Sequence, residues 1–146
     1  MNKINFKVES VENQSEVIRF LDDMIYEYNS KRIGKHDGQL FTRIIRNNNN
    51  NNNNNIIAGI TGWTWAGISE ITILWVNEDY RGKGLGKKLL SVAEDEIINR
   101  GCSTIFLRSY SFQAPIFYLK NGYEIIYILD EFPNGFKHYN LIKKIT

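Results

Sequence analysis

Apolar and polar residues alternate over residues 4–8, where Ile4, Phe6 and Val8 share one side, and this period of two predicts a strand. Asn13 followed by Glu16 resembles a capping box. Val17, Ile18, Leu21, Met24, Ile25 and Tyr28 then recur at helical spacing. Residues 30–38 are polar and punctuated by glycine, which predicts a loop or a short second helix. Residues 40–46 and 56–65 are strand-like, and after a turn at Ala66 and Gly67 residues 70–76 form the third strand of a meander. Leu85, Leu89, Leu90, Ala93, Ile97 and Ile98 then line a helix that stops at Gly101. Residues 104–109 predict a strand, and residues 113–121 a short helix with Pro115 in its first turn and Gly122 just past its end. Residues 123–129 and 137–143 are the final strands, joined at Pro133-Asn134-Gly135. The order β, α, three antiparallel β, α, β, α, β, β predicts an α/β (α+β) fold. Its mixed, mostly antiparallel sheet has about six to seven strands and helices on both faces.

Composition narrows the class. The chain of 146 residues has a single-domain length, so one domain over residues 1–146 is expected. Residues 47–55 are all asparagine. Asparagine tolerates turns but buries no apolar area, so the tract reads as a solvated loop at the tip of the hairpin between the second and third predicted strands. A self-association tract is the other reading. A net charge of +2 is too small to argue for a nucleic acid or an anionic membrane as partner. One cysteine, Cys102, and two histidines leave little for a disulfide framework or a zinc site, and no metal is expected. No apolar run approaches the ~20 residues of a membrane span. Residues 1–10 lack the apolar core of a secretory signal, so a cytoplasmic or nucleocytosolic compartment is expected.

The densest chemical signal is residues 76–86, Val-Asn-Glu-Asp-Tyr-Arg-Gly-Lys-Gly-Leu-Gly. A strand leads into a turn with three alternating glycines and then a helix carrying Lys87 and Lys88. Glycines let amides approach an anion closely, and the helix dipole adds positive potential at the same point. Lysines there oppose the dipole by ~0.3–1 kcal/mol each when exposed, and a phosphate ligand reverses that sign. Spacing separates the kinds of phosphate loop. The dinucleotide fingerprint is G-x-G-x-x-G, whereas Gly82, Gly84 and Gly86 give G-x-G-x-G at the end of a meander. The triphosphate loop needs four residues between glycines and a hydroxyl after its lysine. Here three residues intervene, and Lys87 is followed by Lys88.

Arg81, Gly84 and Gly86 fit a third pattern: Arg or Gln, two residues, Gly, one residue, Gly or Ala. Through this run the chain resembles the GNAT superfamily of acyl-CoA-dependent N-acetyltransferases. The resemblance extends over residues 70–124 and includes Ser111-Phe112-Gln113-Ala114-Pro115-Ile116-Phe117-Tyr118 and Asn121-Gly122-Tyr123, which look like a small single-domain subgroup. It implies acetyl-CoA as co-substrate, with the pyrophosphate on the turn and the pantetheine arm lying like an added strand. The implied cofactor residues are Leu74, Trp75, Val76, Arg81, Gly82, Lys83, Gly84, Leu85, Gly86, Lys87, Ser111, Gln113 and Tyr118. Family members often carry an asparagine where this chain has Ser111.

The resemblance also implies catalytic roles. Tyr118 is the residue that would protonate the departing thiolate, and a core tyrosine is the alternative. The N–H of Val76 would polarise the acetyl carbonyl. Glu70 stands where some members keep a general base, and a strand-edge glutamate in water is the other reading. Asp37, Asp130 and His138 are weaker candidates. The implied activity is direct attack of a primary amine on acetyl-CoA in a ternary complex. The acceptor is a small molecule or a protein or peptide amine, and the chain is a monomer or homodimer. A non-catalytic acyl-CoA-binding domain is the rival from another class.

Overall fold

A computed structural model of the chain describes residues 3–47 and 55–145. It divides into two units, Met1–His36 and Asp37–Thr146. Among the described residues the first contains one helix, α1 (Gln14–Ile33). Residues 4–8 are not a strand. They carry no regular structure, and Ile4, Phe6 and Val8 are exposed. Alternation yields a strand only when a neighbour satisfies its backbone groups, and no ladder includes these residues. Asn13 and Glu16 do meet, but Asn13 Nδ2 donates to Glu16 Oε2 at 3.0 Å and no side chain caps the helix. The expected capping box is therefore a side-chain pair instead. The helix runs on through Ser30 to Ile33, and no second helix forms before residue 38. Gly34, at φ 77°, ends it with its N–H on the Ser30 carbonyl.

Among the described residues the second unit holds six strands: β1 (Gln39–Arg46), β2 (Ile56–Trp65), β3 (Ile68–Val76), β4 (Thr104–Tyr110), β5 (Glu124–Leu129) and β6 (His138–Lys144). Their order is β1-β2-β3-β4-β6-β5. Every neighbouring pair is antiparallel except β3 and β4, which are parallel. Between them lie α2 (Leu85–Asn99) and α3 (Pro115–Lys120). The helix expected over residues 113–121 is shorter because Ala114 precedes Pro115 and is held outside the helical region, at φ −135° and ψ 54°. β1 and β2 flank the asparagine tract, where Asn47 N–H donates to the Asn55 carbonyl at 2.9 Å. Residues 48–54, and with them the reading of the tract, lie outside the described residues. Among the described residues no helix is long and apolar enough to cross a membrane.

One core joins α2 and α3 to the same sheet face. Leu89, Leu90, Ala93 and Ile97 of α2 meet Ala58, Ile60, Ile71, Ile105, Leu107 and Leu141, with Tyr118 and Tyr123 at the α3 side. Ile98 departs from the predicted stripe and is 47% exposed, since it lies about 100° round the helix from Ile97. Gly101, at φ 80°, closes α2: its N–H bonds to Ile98 and that of Cys102 to Ile97, a Schellman arrangement.

Charged side chains tie α2 down at both sides. Arg100 pairs with Glu96 at 2.7 Å and donates to the carbonyls of Gln39 and Leu40, while Glu96 also meets Arg43. Tyr123 Oη donates to Glu94 at 3.0 Å, and Lys143 pairs with the same carboxylate at 2.8 Å.

Gly62 sits at the bulge where the β2–β3 register shifts. A Cβ there would collide with the Glu70 carbonyl oxygen and come within 2.6 Å of the Phe41 ring. Gly62→Ala is expected to lower unfolding stability by about 1–3 kcal/mol in denaturant titration, as overpacking does. Unchanged stability would contradict this packing.

Candidate active site

The β3–β4 ladder sets the geometry. It pairs Ile68 with Thr104 and continues only to Ile71 with Leu107, although β3 runs on to Val76 and β4 to Tyr110. Beyond that rung the two strands diverge. Asn77 N–H donates to the Ile57 carbonyl, so Asn77 turns its backbone to β2. By strand alternation Val76 turns its own N–H and carbonyl into the gap. Arg81 Nε reaches back to that carbonyl at 3.1 Å.

A 3-10 turn, Glu78–Tyr80, leads from β3 to the glycines, with Asn77 Oδ1 accepting the Asp79 N–H. Gly82 has φ 74° and Gly84 φ 77°, left-handed values that favour glycine. Gly84 is the N-cap of α2; no side chain caps it, and its first turn holds no acid. The first amides of α2 therefore face outward with the positive end of the helix dipole. Arg81, Lys83, Lys87 and Lys88 around them are exposed. Gly86 lies where loop, strand and α3 meet: a Cβ there would be 3.7 Å from Phe117 Cζ and 3.9 Å from Val76 Cγ2. Phe117 is thus the α3 residue that closes on the loop. The spacing of the sequence does not single out Phe117, because adjacent aromatics give no sign of which one faces the turn.

Tyr118 is buried in the core, edge-on to Phe117 and Tyr123. Burial pushes its phenol up to about 12. Full proton transfer to a thiolate of pKa ~8.5 is then uphill by ~5 kcal/mol, so what this phenol offers is a hydrogen bond. Tyr123 is raised as well, by burial and by Glu94.

The remaining candidates are dispersed. Leu74 and Val76 pack at the edge of the core on the α2 face, whereas Trp75 is on the other face and 45% exposed. Ser111 Oγ accepts the Lys137 N–H at 3.0 Å, and Gln113 Oε1 accepts the Tyr110 N–H at 2.8 Å, so both brace the end of β4. Glu70 is on the last paired stretch of β3, on the face away from Tyr118, 3.6 Å from Arg108. Asp37 accepts the Ala66 N–H at the β2–β3 turn, and Asp130 pairs with Lys137 at 3.6 Å. His138 stacks on Tyr110. Cys102 is buried at the opposite end of β4, where burial raises its thiol pKa. A cavity of about 600 Å³ opens on the β1–β2 side of the loop, bounded by Arg46, Ile57, Asn77 and Tyr80, away from the diverging strands. Among the described residues no group of His, Cys, Asp or Glu could hold a metal ion.

The sheet parts at its parallel β3–β4 pair, beside the uncapped, glycine-led start of α2. The sequence profile of the acetyltransferase (GNAT) domain matches residues 43–125, and the chain belongs to that family of N-acetyltransferases. An acetyltransferase of Agrobacterium fabrum strain C58 is 30% identical over 132 residues, covering 90% of this chain and 93% of that one. Blasticidin-S acetyltransferase of Streptomyces morookaense is 31% identical over 90 residues; the match spans 61% of this chain and 64% of that relative, under two thirds of its length. The crystal structure of an acetyltransferase from Agrobacterium tumefaciens superposes with a TM-score of 0.82 at 29% identity, covering 97% of this chain and all of that one.

The buried phenol makes stability depend on pH at the alkaline end. An unfolded tyrosine ionises near pH 10 and native Tyr118 near 12, so its contribution is complete below pH 10 and lost as pH rises to about 12. Wild-type Tm should fall more steeply than that of Tyr118→Phe across this window, by up to about 2–3 kcal/mol in stability. Parallel pH profiles would contradict the burial.

Proposed function

We propose that the protein moves an acetyl group from acetyl-CoA to a primary amine of a small molecule, by direct attack in a ternary complex. The parted end of the β3–β4 ladder, opening beside the uncapped N-terminus of α2, is the observation that carries this reading. The pyrophosphate of the donor would take the amides following Gly84, and its pantetheine arm the backbone that Leu74 and Val76 turn into the gap. The Val76 N–H would polarise the thioester carbonyl as tetrahedral charge develops.

Attack forms the C–N bond and expels the thiolate as the C–S bond breaks. Tyr118 would hydrogen-bond to the thiolate, which then takes a proton. The amine's proton goes to Glu70 or to water. An acyl-cysteine route has no support, because Cys102 is buried with its Sγ against the Ile68 carbonyl at 3.7 Å. A relative named for acetylating the small molecule blasticidin S favours a small-molecule acceptor. A cytoplasmic or nucleocytosolic setting fits a chain with a single free thiol.

Gly84→Asp should set a carboxylate against the phosphates and weaken acetyl-CoA binding by tenfold or more in calorimetry, about 1.4 kcal/mol at least. Gly84→Asn, neutral and tolerant of the left-handed backbone, should lose less. Equal affinity of Gly84→Asp and wild type would refute the cradle. Tyr118→Phe should lower kcat by about 10²-fold, the scale of losing one hydrogen-bond donor to developing charge, with little change in acetyl-CoA affinity. An unchanged kcat would remove Tyr118 from the chemistry.

A further inference from the structure

We infer that the acceptor amine is carried on an aromatic or planar heteroaromatic ring, received by a wall of Tyr110, Phe112, Phe132, Phe136 and His138. The inference rests on the acetyltransferase reading above and names the acceptor that reading leaves general. Tyr110 ends β4, the strand that parts from β3 after Leu107. Ile105, Leu107 and Ser109 point into the core, so Tyr110 and its register partner His138 stand on the face away from α2 and α3. A donor held at the N-terminus of α2 presents its acyl group through the gap, and an amine must meet it from the Tyr110 side.

The rings at that place form a continuous surface. Tyr110 stacks on His138 at 4.5 Å and on Phe112 at 5.3 Å, and it meets Phe132 edge-on at 5.2 Å. Phe112 and Phe136 stand at 80° to each other, 5.1 Å apart. These two outer rings are 61% and 40% exposed. Two hydrogen bonds join the segments that carry them: Ser111 N–H donates to the Lys137 carbonyl, and Lys137 N–H to Ser111 Oγ. Exposed apolar rings are unfavourable by roughly 25 cal/mol per Å² of wetted surface, and a fixed cluster of them marks a ligand contact.

The chemistry of the wall selects among amines. Two rings set at a right angle offer one face for offset stacking and one edge for a T-shaped contact, which suits a third ring. Asp130 is occupied by Lys137 at 3.6 Å, and Glu70, on the same face of the sheet, lies 3.6 Å from Arg108.

Thiol release compared across 2-phenylethylamine, butylamine and spermidine tests the wall. Wild type should favour 2-phenylethylamine by about tenfold or more in kcat/KM, the scale of one good aromatic contact pair. Phe112→Ala/Phe136→Ala should abolish that preference by raising KM for 2-phenylethylamine, with acetyl-CoA affinity unchanged. The conservative Phe112→Tyr should keep the preference. Equal kcat/KM for aryl and alkyl amines, or a double variant with unaltered KM, would overturn the wall. If no amine releases thiol, the transferase reading fails by itself. Calorimetry then decides the wall: 2-phenylethylamine bound by wild type and not by the double variant supports it, and binding to neither or to both overturns it.

Discussion

The β3–β4 ladder stops at Ile71 and Leu107 while both strands continue. In a sheet that is otherwise antiparallel, this parallel pair is the one junction that a crossover helix, α2, must bridge. Because the chain leaves β3 at Val76 to enter that crossover, the glycine turn forms where the strands part. Backbone outside the β3–β4 ladder and an uncapped helix start therefore occur at one place, and each supplies groups that the other lacks. An extended, phosphate-bearing donor satisfies both.

That opening has to be held, since parted strands in a small sheet would otherwise close or fray. The braces are polar and lie off the gap itself. Arg100 and Glu96 fasten the end of α2 to β1, and Glu94 links it to Tyr123 and Lys143 at β5 and β6. Ser111 and Gln113 tie off the end of β4, and Arg81 covers the Val76 carbonyl. Arg81, Ser111 and Gln113, expected from sequence as cofactor contacts, thus also carry bonds that shape the opening.

Much of the second unit was legible because its signals are local. The glycine triplet, the α2 stripe from Leu85 to Ile97 and the β2–β3 turn depend on neighbours within a few residues, and each forms. Three features were not legible for physical reasons. Residues 4–8 alternate correctly, but a strand also needs a partner edge, which periodicity cannot report. Phe117 and Tyr118 are adjacent, and only tertiary packing decides which meets Gly86. The aromatic wall draws Tyr110 and Phe112 from one turn and Phe132, Phe136 and His138 from a hairpin beyond, so its members become neighbours only through the β4–β6 register.

The central claim is that the opening and the helix start bind one donor together. Backbone amide shifts followed by NMR during titration with coenzyme A test it most directly. The account predicts coincident saturable shifts at Val76 and at Leu85, Gly86 and Lys87. Shifts confined to Arg46, Ile57 and Tyr80 around the cavity beside β1 and β2, or none at Val76, would contradict it.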